Sequence, residues 1–173
     1  MLKNFDMIHY ITGGERSGKS SYAQKMAEEL SPNPYYLATS RIWDDDFKKR
    51  VDRHISDRDE RWTTLEEEKH LSTIIPENSV VVIDCVTLWL TNFYTDTKYD
   101  VAKSLSLVKD ELNKLKKVNA TIIIISNEIG MGVHANTEIS RKFTELQGWV
   151  NQEIAKLSNK ATFMVSGLPM TLK

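Results

Sequence analysis

Two stretches of this chain, Val80-Val-Val-Ile83 and Ile122-Ile-Ile-Ile125, are β-branched aliphatic with no polar residue interleaved. A strand with one face in water alternates apolar and polar residues, whereas an unbroken aliphatic run suits a strand covered on both faces. Both runs are therefore predicted at the centre of a mainly parallel sheet flanked by helices. They belong to a set of five β-rich segments, Ile8 to Thr12, Tyr35 to Ala38, Val80 to Asp84, Thr121 to Ser126 and Thr162 to Ser166, separated by longer amphipathic stretches. That alternation predicts an α/β fold in which helical crossovers join parallel strands.

The intervening segments carry helical spacing. Ala23, Met26, Ala27 and Leu30 recur at that period before Ser31-Pro-Asn-Pro34 stops the helix. Leu105, Val108, Leu112 and Leu115 resemble a heptad seam, but two heptads are too few for a coiled coil, and a helix lying on the sheet is expected. Ile139, Phe143, Leu146, Val150, Ile154 and Leu157 mark another long helix. Residues 44–61 contain no Gly or Pro and are heavily charged, which predicts an exposed or site-lining helix. The 173 residues are expected to form one domain, with residues 1–6 as an N-terminal extension. A net charge of -1 gives no general attraction to nucleic acid or anionic membrane, so an anion site has to be built locally. No apolar stretch approaches the roughly 18 residues of a membrane span. The lone cysteine, Cys85, can form neither an internal disulfide nor a thiolate metal cage. These features predict a cytoplasmic protein with a small-molecule partner.

Gly13-Gly-Glu-Arg-Ser-Gly18-Lys19-Ser20 satisfies the P-loop pattern and lies between a predicted strand and a predicted helix. Its glycines allow backbone N–H groups to converge on phosphate oxygens, and the helix N-terminus adds a partial positive charge. Lys19 is expected to reach the β- and γ-phosphates of ATP or GTP, and Ser20 to ligate Mg²⁺. Asp84 ends an aliphatic run, where a carboxylate at a strand's C-terminal end can hold the same ion. A capping or turn aspartate is the alternative. If residues 44–61 are helical, Arg50, His54 and Arg58 fall at i, i+4 and i+8 on one face, with Trp62 extending the stripe. Two guanidinium groups would clamp phosphate and keep the imidazole between them neutral and nucleophilic. A solvated helix face carrying an incidental histidine is the competing reading. His9, His70 and His134 show no comparable surroundings.

With these residues in view, the chain resembles the bifunctional adenosylcobinamide kinase/adenosylcobinamide-phosphate guanylyltransferases from about Met7 to Lys173. The resemblance rests on an ordered set: Thr12-Gly-Gly-x-Arg16-Ser-Gly-Lys-Ser20, Ala38-Thr-Ser40, the spaced Arg50, His54, Arg58, Trp62 and Glu66, and Asp84-Cys85. It continues through Asn127-Glu-x-Gly-Met-Gly132, Arg141, Phe143, Gly148, Asn151-Gln152 and Ser166-Gly167. Arg53, Asp84 and His134-Ala-Asn136 depart from the family pattern.

The resemblance implies a P-loop NTPase-like fold and two reactions, phosphorylation of adenosylcobinamide followed by transfer of GMP from GTP to the new phosphate. It implies that His54 carries the GMP as a phosphoramidate. It further implies nucleotide contacts from Gly13, Gly14, Glu15, Arg16, Ser17, Gly18, Lys19 and Ser20, from Ala38, Thr39 and Ser40, and from Ile55, Ser56, Asp57 and Arg58. Glu66 and Asp84 are further candidates for nucleotide or Mg²⁺ contacts. A corrinoid substrate and a homo-oligomer, a trimer, are also implied. A P-loop kinase of another small molecule, and a nucleotide-dependent switch without transfer chemistry, are the rival readings.

Overall fold

The computed structural model describes residues 7–41 and 59–173. Along these the chain runs β1 (Met7–Gly13), α1 (Lys19–Leu30), β2 (Tyr35–Ala38), β3 (Thr63–Glu66), a 3₁₀ turn (Leu71–Thr73), β4 (Val80–Asp84), α2 (Val86–Asp96), α3 (Val101–Leu115), β5 (Thr121–Asn127), α4 (Glu138–Leu157), β6 (Lys160–Val165) and β7 (Leu168–Thr171). The strands form one sheet in the order β3-β2-β4-β5-β1-β6-β7. Every pairing is parallel except that of β6 with β7.

The two aliphatic runs are central, and their side chains divide between two layers. Val81, Ile83, Ile122 and Ile124 join Ile8, Tyr10 and Leu37 in one cluster with Trp89 and Leu90 of α2, Val108, Leu112 and Leu115 of α3, and Leu146, Val150 and Ile154 of α4. Val80, Val82, Ile123 and Ile125 join Ile11, Tyr36 and Ala38 on the opposite face, where Ala23 and Ala27 of α1 cover them. Consecutive residues of a strand point to opposite faces. Both faces are dry, so neither run can alternate. The expected seam on α3 is present, and the helix lies beside α2 and α4 within their layer. Asp100 and Thr137 cap α3 and α4 by accepting the backbone N–H groups of Lys103 and Ser140.

Three expectations need correction. Five strands were predicted, and β3 and β7 are additional. β3 is Thr-Thr-Leu-Glu on an edge, three of its residues exposed, so it has no buried face to impose a pattern. β7 contains Pro169, which an edge strand tolerates because one side has no partner. Second, Ser166 is not a strand residue. Ser166 and Gly167 have φ of 52° and 82° and form the two-residue turn of the β6–β7 hairpin. Third, residues 59–61, the last three of the segment predicted as a helix over 44–61, are not helical. Asp59 accepts the Arg61 N–H through its side chain and the Trp62 N–H through its carbonyl, closing a turn. The rest of that segment, with Arg50 and His54, lies outside the described residues.

Candidate active site

The C-terminal ends of the parallel strands gather at one edge of the sheet. Ala38 is in register with Asp84 on one side and Glu66 on the other. Gly13 is in register with Asn127. The chain leaves β1 through Gly13 to Gly18 and enters α1 at Lys19, which makes the predicted P-loop a strand-to-helix connection at that edge. A Cβ on Gly13 would lie 2.5 Å from the Met164 carbonyl oxygen and 2.7 Å from Ser17 Oγ. Gly18 has φ of 94°, and a Cβ there would meet Gly167 Cα at 3.1 Å. Glycine is therefore required at both positions by close approach and by backbone conformation. The hairpin turn props the loop from behind, with the Gly167 N–H donating to the Ser17 carbonyl at 3.0 Å.

Within the loop, Gly14, Glu15 and Arg16 are exposed and Ser17 is buried. Lys19 is buried, and its ammonium folds back to donate to the Gly14 carbonyl at 2.5 Å, with Ser17 Oγ at 3.4 Å. Burial pushes its pKa below the usual lysine range, opposed by the negative charges of Glu15 and Asp84. A cation so placed, with a neutral carbonyl as its main partner, is poised to exchange it for a phosphate oxygen. Ser20, in the first turn of α1, donates through Oγ to Asp84 Oδ2 at 2.9 Å. The predicted metal pair is thus one contact. It joins residues 64 apart in sequence.

Tyr36, which sequence reasoning read only as a strand residue, donates its phenolic hydroxyl to the same Oδ2 of Asp84 at 3.0 Å. Cys85 follows, buried, with its thiol pushed up to about 12 by burial. It is an uncharged packing group and not a nucleophile.

The Ala38-Thr39-Ser40 segment continues from β2 beside Asp84. The Thr39 side chain is fully buried and donates to the Cys85 carbonyl at 2.8 Å while accepting its N–H at 3.1 Å. Its hydroxyl clasps the ends of β2 and β4 together, and its N–H donates to the Asp84 carbonyl at 3.3 Å, so in this segment Ser40 is the residue left to face a ligand. Asn92, buried on α2, donates to the carbonyls of Thr39 and Glu68 at 2.8 and 3.0 Å. No sequence motif marked it. Glu66 is exposed and lies two strands from Asp84, about 10 Å at the usual strand spacing. It borders a groove of about 640 Å³ lined by Ala38, Ser40, Arg41 and residues 66–70, rather than the Ser20–Asp84 contact. Arg41 pairs there with Glu68 at 2.6 Å and Asp96 at 3.0 Å, and the Arg41 guanidinium, with the Lys69 ammonium, holds the Asp96 carboxyl well below the usual range.

On the other side of the P-loop, Asn151 of α4 donates to the Asn127 carbonyl at 3.1 Å and accepts the Ser126 hydroxyl at 2.6 Å. Arg141 donates to the carbonyls of Ala135 and Asn136 at 3.2 and 3.0 Å, bracing the loop after β5. Gln152 is exposed. His54, Ile55, Ser56, Asp57 and Arg58 lie outside the described residues. The structure thus brings together Gly13 to Ser20, Ala38 to Ser40 and Asp84, with Glu66 on the adjoining groove.

Comparison with known proteins identifies the family. Residues 9–172 match the family model described as cobinamide kinase / cobinamide phosphate guanyltransferase. The chain is 32% identical to the bifunctional adenosylcobalamin biosynthesis protein CobU of Escherichia coli, covering 96% of this chain and all of the relative. It is 36% identical to the corresponding protein CobP of Pseudomonas aeruginosa, covering 96% of this chain and 98% of the relative. The solved structure of the flagellar accessory protein FlaH from Methanocaldococcus jannaschii superposes with a TM-score of 0.52 at 12% identity, over 98% of this chain and 79% of that one, and shares its fold. A family match over nearly the whole length, on a sheet edge that assembles the P-loop with Ser20 and Asp84, establishes the chain as a member of the cobinamide kinase / cobinamide phosphate guanyltransferase family.

Proposed function

We propose that this enzyme phosphorylates adenosylcobinamide and then transfers GMP from GTP to the product through a guanylylated His54, giving adenosylcobinamide-GDP. The observation that carries the nucleotide half is the buried Lys19 ammonium inside the loop, one residue from the Ser20–Asp84 contact. A triphosphate laid along Gly13 to Ser20 would have its β- and γ-phosphates at that ammonium and at the N-terminus of α1. In the first reaction the corrinoid hydroxyl oxygen attacks the γ-phosphorus. The bond to the β-bridging oxygen breaks, the hydroxyl proton leaves to solvent or a base, and a nucleoside diphosphate departs. In the second, a neutral nitrogen of His54 attacks the α-phosphorus of GTP and pyrophosphate leaves. An oxygen of the corrinoid phosphate then takes the GMP and the N–P bond breaks. Lys19 serves both reactions, because charge accumulates on the same phosphate chain.

The residues fit a small hard cation. Ser20 Oγ and Asp84 supply oxygen donors 2.9 Å apart, and among the described residues no cluster of three or more His, Cys, Asp or Glu offers a full cage. That sparse set suits Mg²⁺, which keeps waters and takes its remaining ligands from phosphate. When bound, the ion would neutralise charge on the β- and γ-oxygens. Ser20 and Asp84 would hold it. The reading further expects ATP or GTP as phosphate donor, a cytoplasmic homotrimer and no nucleic-acid partner.

The test is labelling with [α-³²P]GTP and Mg²⁺. The protein should acquire one label that is labile in acid and comparatively stable in base, as a phosphoramidate is. His54→Asn should lose the label and guanylyl transfer while keeping nucleotide affinity and most kinase turnover. Unchanged labelling of the variant would place the nucleophile elsewhere, and an unlabelled wild type would reduce the protein to a kinase or a switch.

A further inference from the structure

We infer that Tyr36 is a positioning residue that aims the Asp84 carboxylate at the metal, an inference that rests on the reading of Asp84 as a metal-holding group. On β2 and β4, Tyr36 is in register with Val82 and Ala38 with Asp84. Tyr36 and Asp84 are therefore diagonal neighbours on the face covered by α1, too far apart for short side chains and within reach of a tyrosine. Its hydroxyl meets Asp84 Oδ2 at 3.0 Å, and Ser20 Oγ meets the same oxygen at 2.9 Å from the opposite element. Two donors on one oxygen fix the carboxylate's rotation. Among the described residues Oδ1 carries no hydrogen bond, so it is the oxygen left for a cation.

Tyr36 is itself held in place. It is 5% exposed, and Trp62 packs edge-on against its ring with centroids 6.5 Å apart and planes at 77°. The Trp62 indole N–H in turn donates to Glu28 Oε1 of α1 at 3.1 Å. The phenol thus stands on a chain of contacts from the helix that carries Ser20, and the hydroxyl has little freedom to leave Oδ2. Groups that orient a metal-holding carboxylate in this way typically change metal affinity by about 10- to 100-fold when removed.

The test is Mn²⁺ binding to the full-length protein–GDP complex, read from the loss of the free-ion EPR signal, for wild type, Tyr36→Phe, Asp84→Asn and the double variant. Phenylalanine keeps the buried ring and the Trp62 contact, and matching melting temperatures would exclude a folding defect. We expect Tyr36→Phe to raise the Mn²⁺ dissociation constant about tenfold, with GDP affinity in the absence of metal unchanged. In the Asp84→Asn background the same change should have little further effect, because the charged oxygen it aims is gone. Wild-type Mn²⁺ affinity in Tyr36→Phe, beside a weakened Asp84→Asn, would overturn this inference alone. Multiplying effects in the double variant would do the same, showing that Tyr36 acts elsewhere. Unchanged affinity in Asp84→Asn would remove the metal role of Asp84 and the role of Tyr36 with it.

Discussion

Replacing Lys19 with methionine should move stability and activity in opposite directions. Lys19 is 7% exposed, and burial already holds its pKa below the lysine range, so in the free enzyme it is a cation carried at a desolvation cost. Its main compensation is the hydrogen bond to the Gly14 carbonyl, whose residue is exposed and can bond water instead. Methionine has a similar length and no charge to desolvate. The melting temperature should therefore stay the same or rise. In the nucleotide complex the sign changes. The lysine exchanges a carbonyl for anionic phosphate oxygens, and losing a charge-assisted hydrogen bond costs about 1.5–3 kcal/mol. This corresponds to roughly 10- to 150-fold in kcat/KM, and it should fall on both reactions because both use one cradle. The assay is phosphorylation of adenosylcobinamide with saturating ATP, run beside guanylyl transfer from [α-³²P]GTP and a thermal melt. Full turnover in either reaction by a folded Lys19→Met protein would refute the shared cradle. A melting temperature lowered by many degrees would refute the assignment of Lys19 as a net structural cost.

Asn92→Ala should strand the buried carbonyl of Thr39 and the half-buried one of Glu68, and destabilise the protein by about 1–3 kcal/mol in urea unfolding. A loss below 0.5 kcal/mol would show that water replaces the amide. Stability should also depend on pH through His9, which is buried against the Thr162 hydroxyl and whose pKa is lowered, first by burial and then by Lys160. A lowered folded pKa means that the unfolded chain takes up the proton first, so this contribution is whole above about pH 6.5 and is lost as pH falls from there toward the folded value. The urea midpoint of wild type should drop more steeply between pH 7 and 5 than that of His9→Asn, and parallel curves would remove His9 as the cause.

What the sequence determined by itself was the chemistry carried by contiguous residues. A phosphate cradle needs glycines, a lysine and a hydroxyl within one turn, so Gly13 to Ser20 is readable without any distant partner. The same holds for Val80 to Ile83 and Ile122 to Ile125, since burial on both faces leaves its mark on every residue of the run. Edge strands carry no such mark. β3 and β7 have mostly exposed residues, and only pairing with β2 and β6 makes them strands. The tertiary structure alone decided the company of Asp84. Its donors come from 48 and 64 residues away, because the sheet order sets β2 beside β4 and α1 across their shared face. It also turned the Thr39 hydroxyl inward to Cys85 and set Glu66 on a groove two strands from the Ser20–Asp84 contact. Residue type and spacing record how often a position is buried, and they do not record which strand lies next to it. That choice comes from packing the helices on a sheet of a particular order, and it decides which hydroxyl reaches which carboxylate.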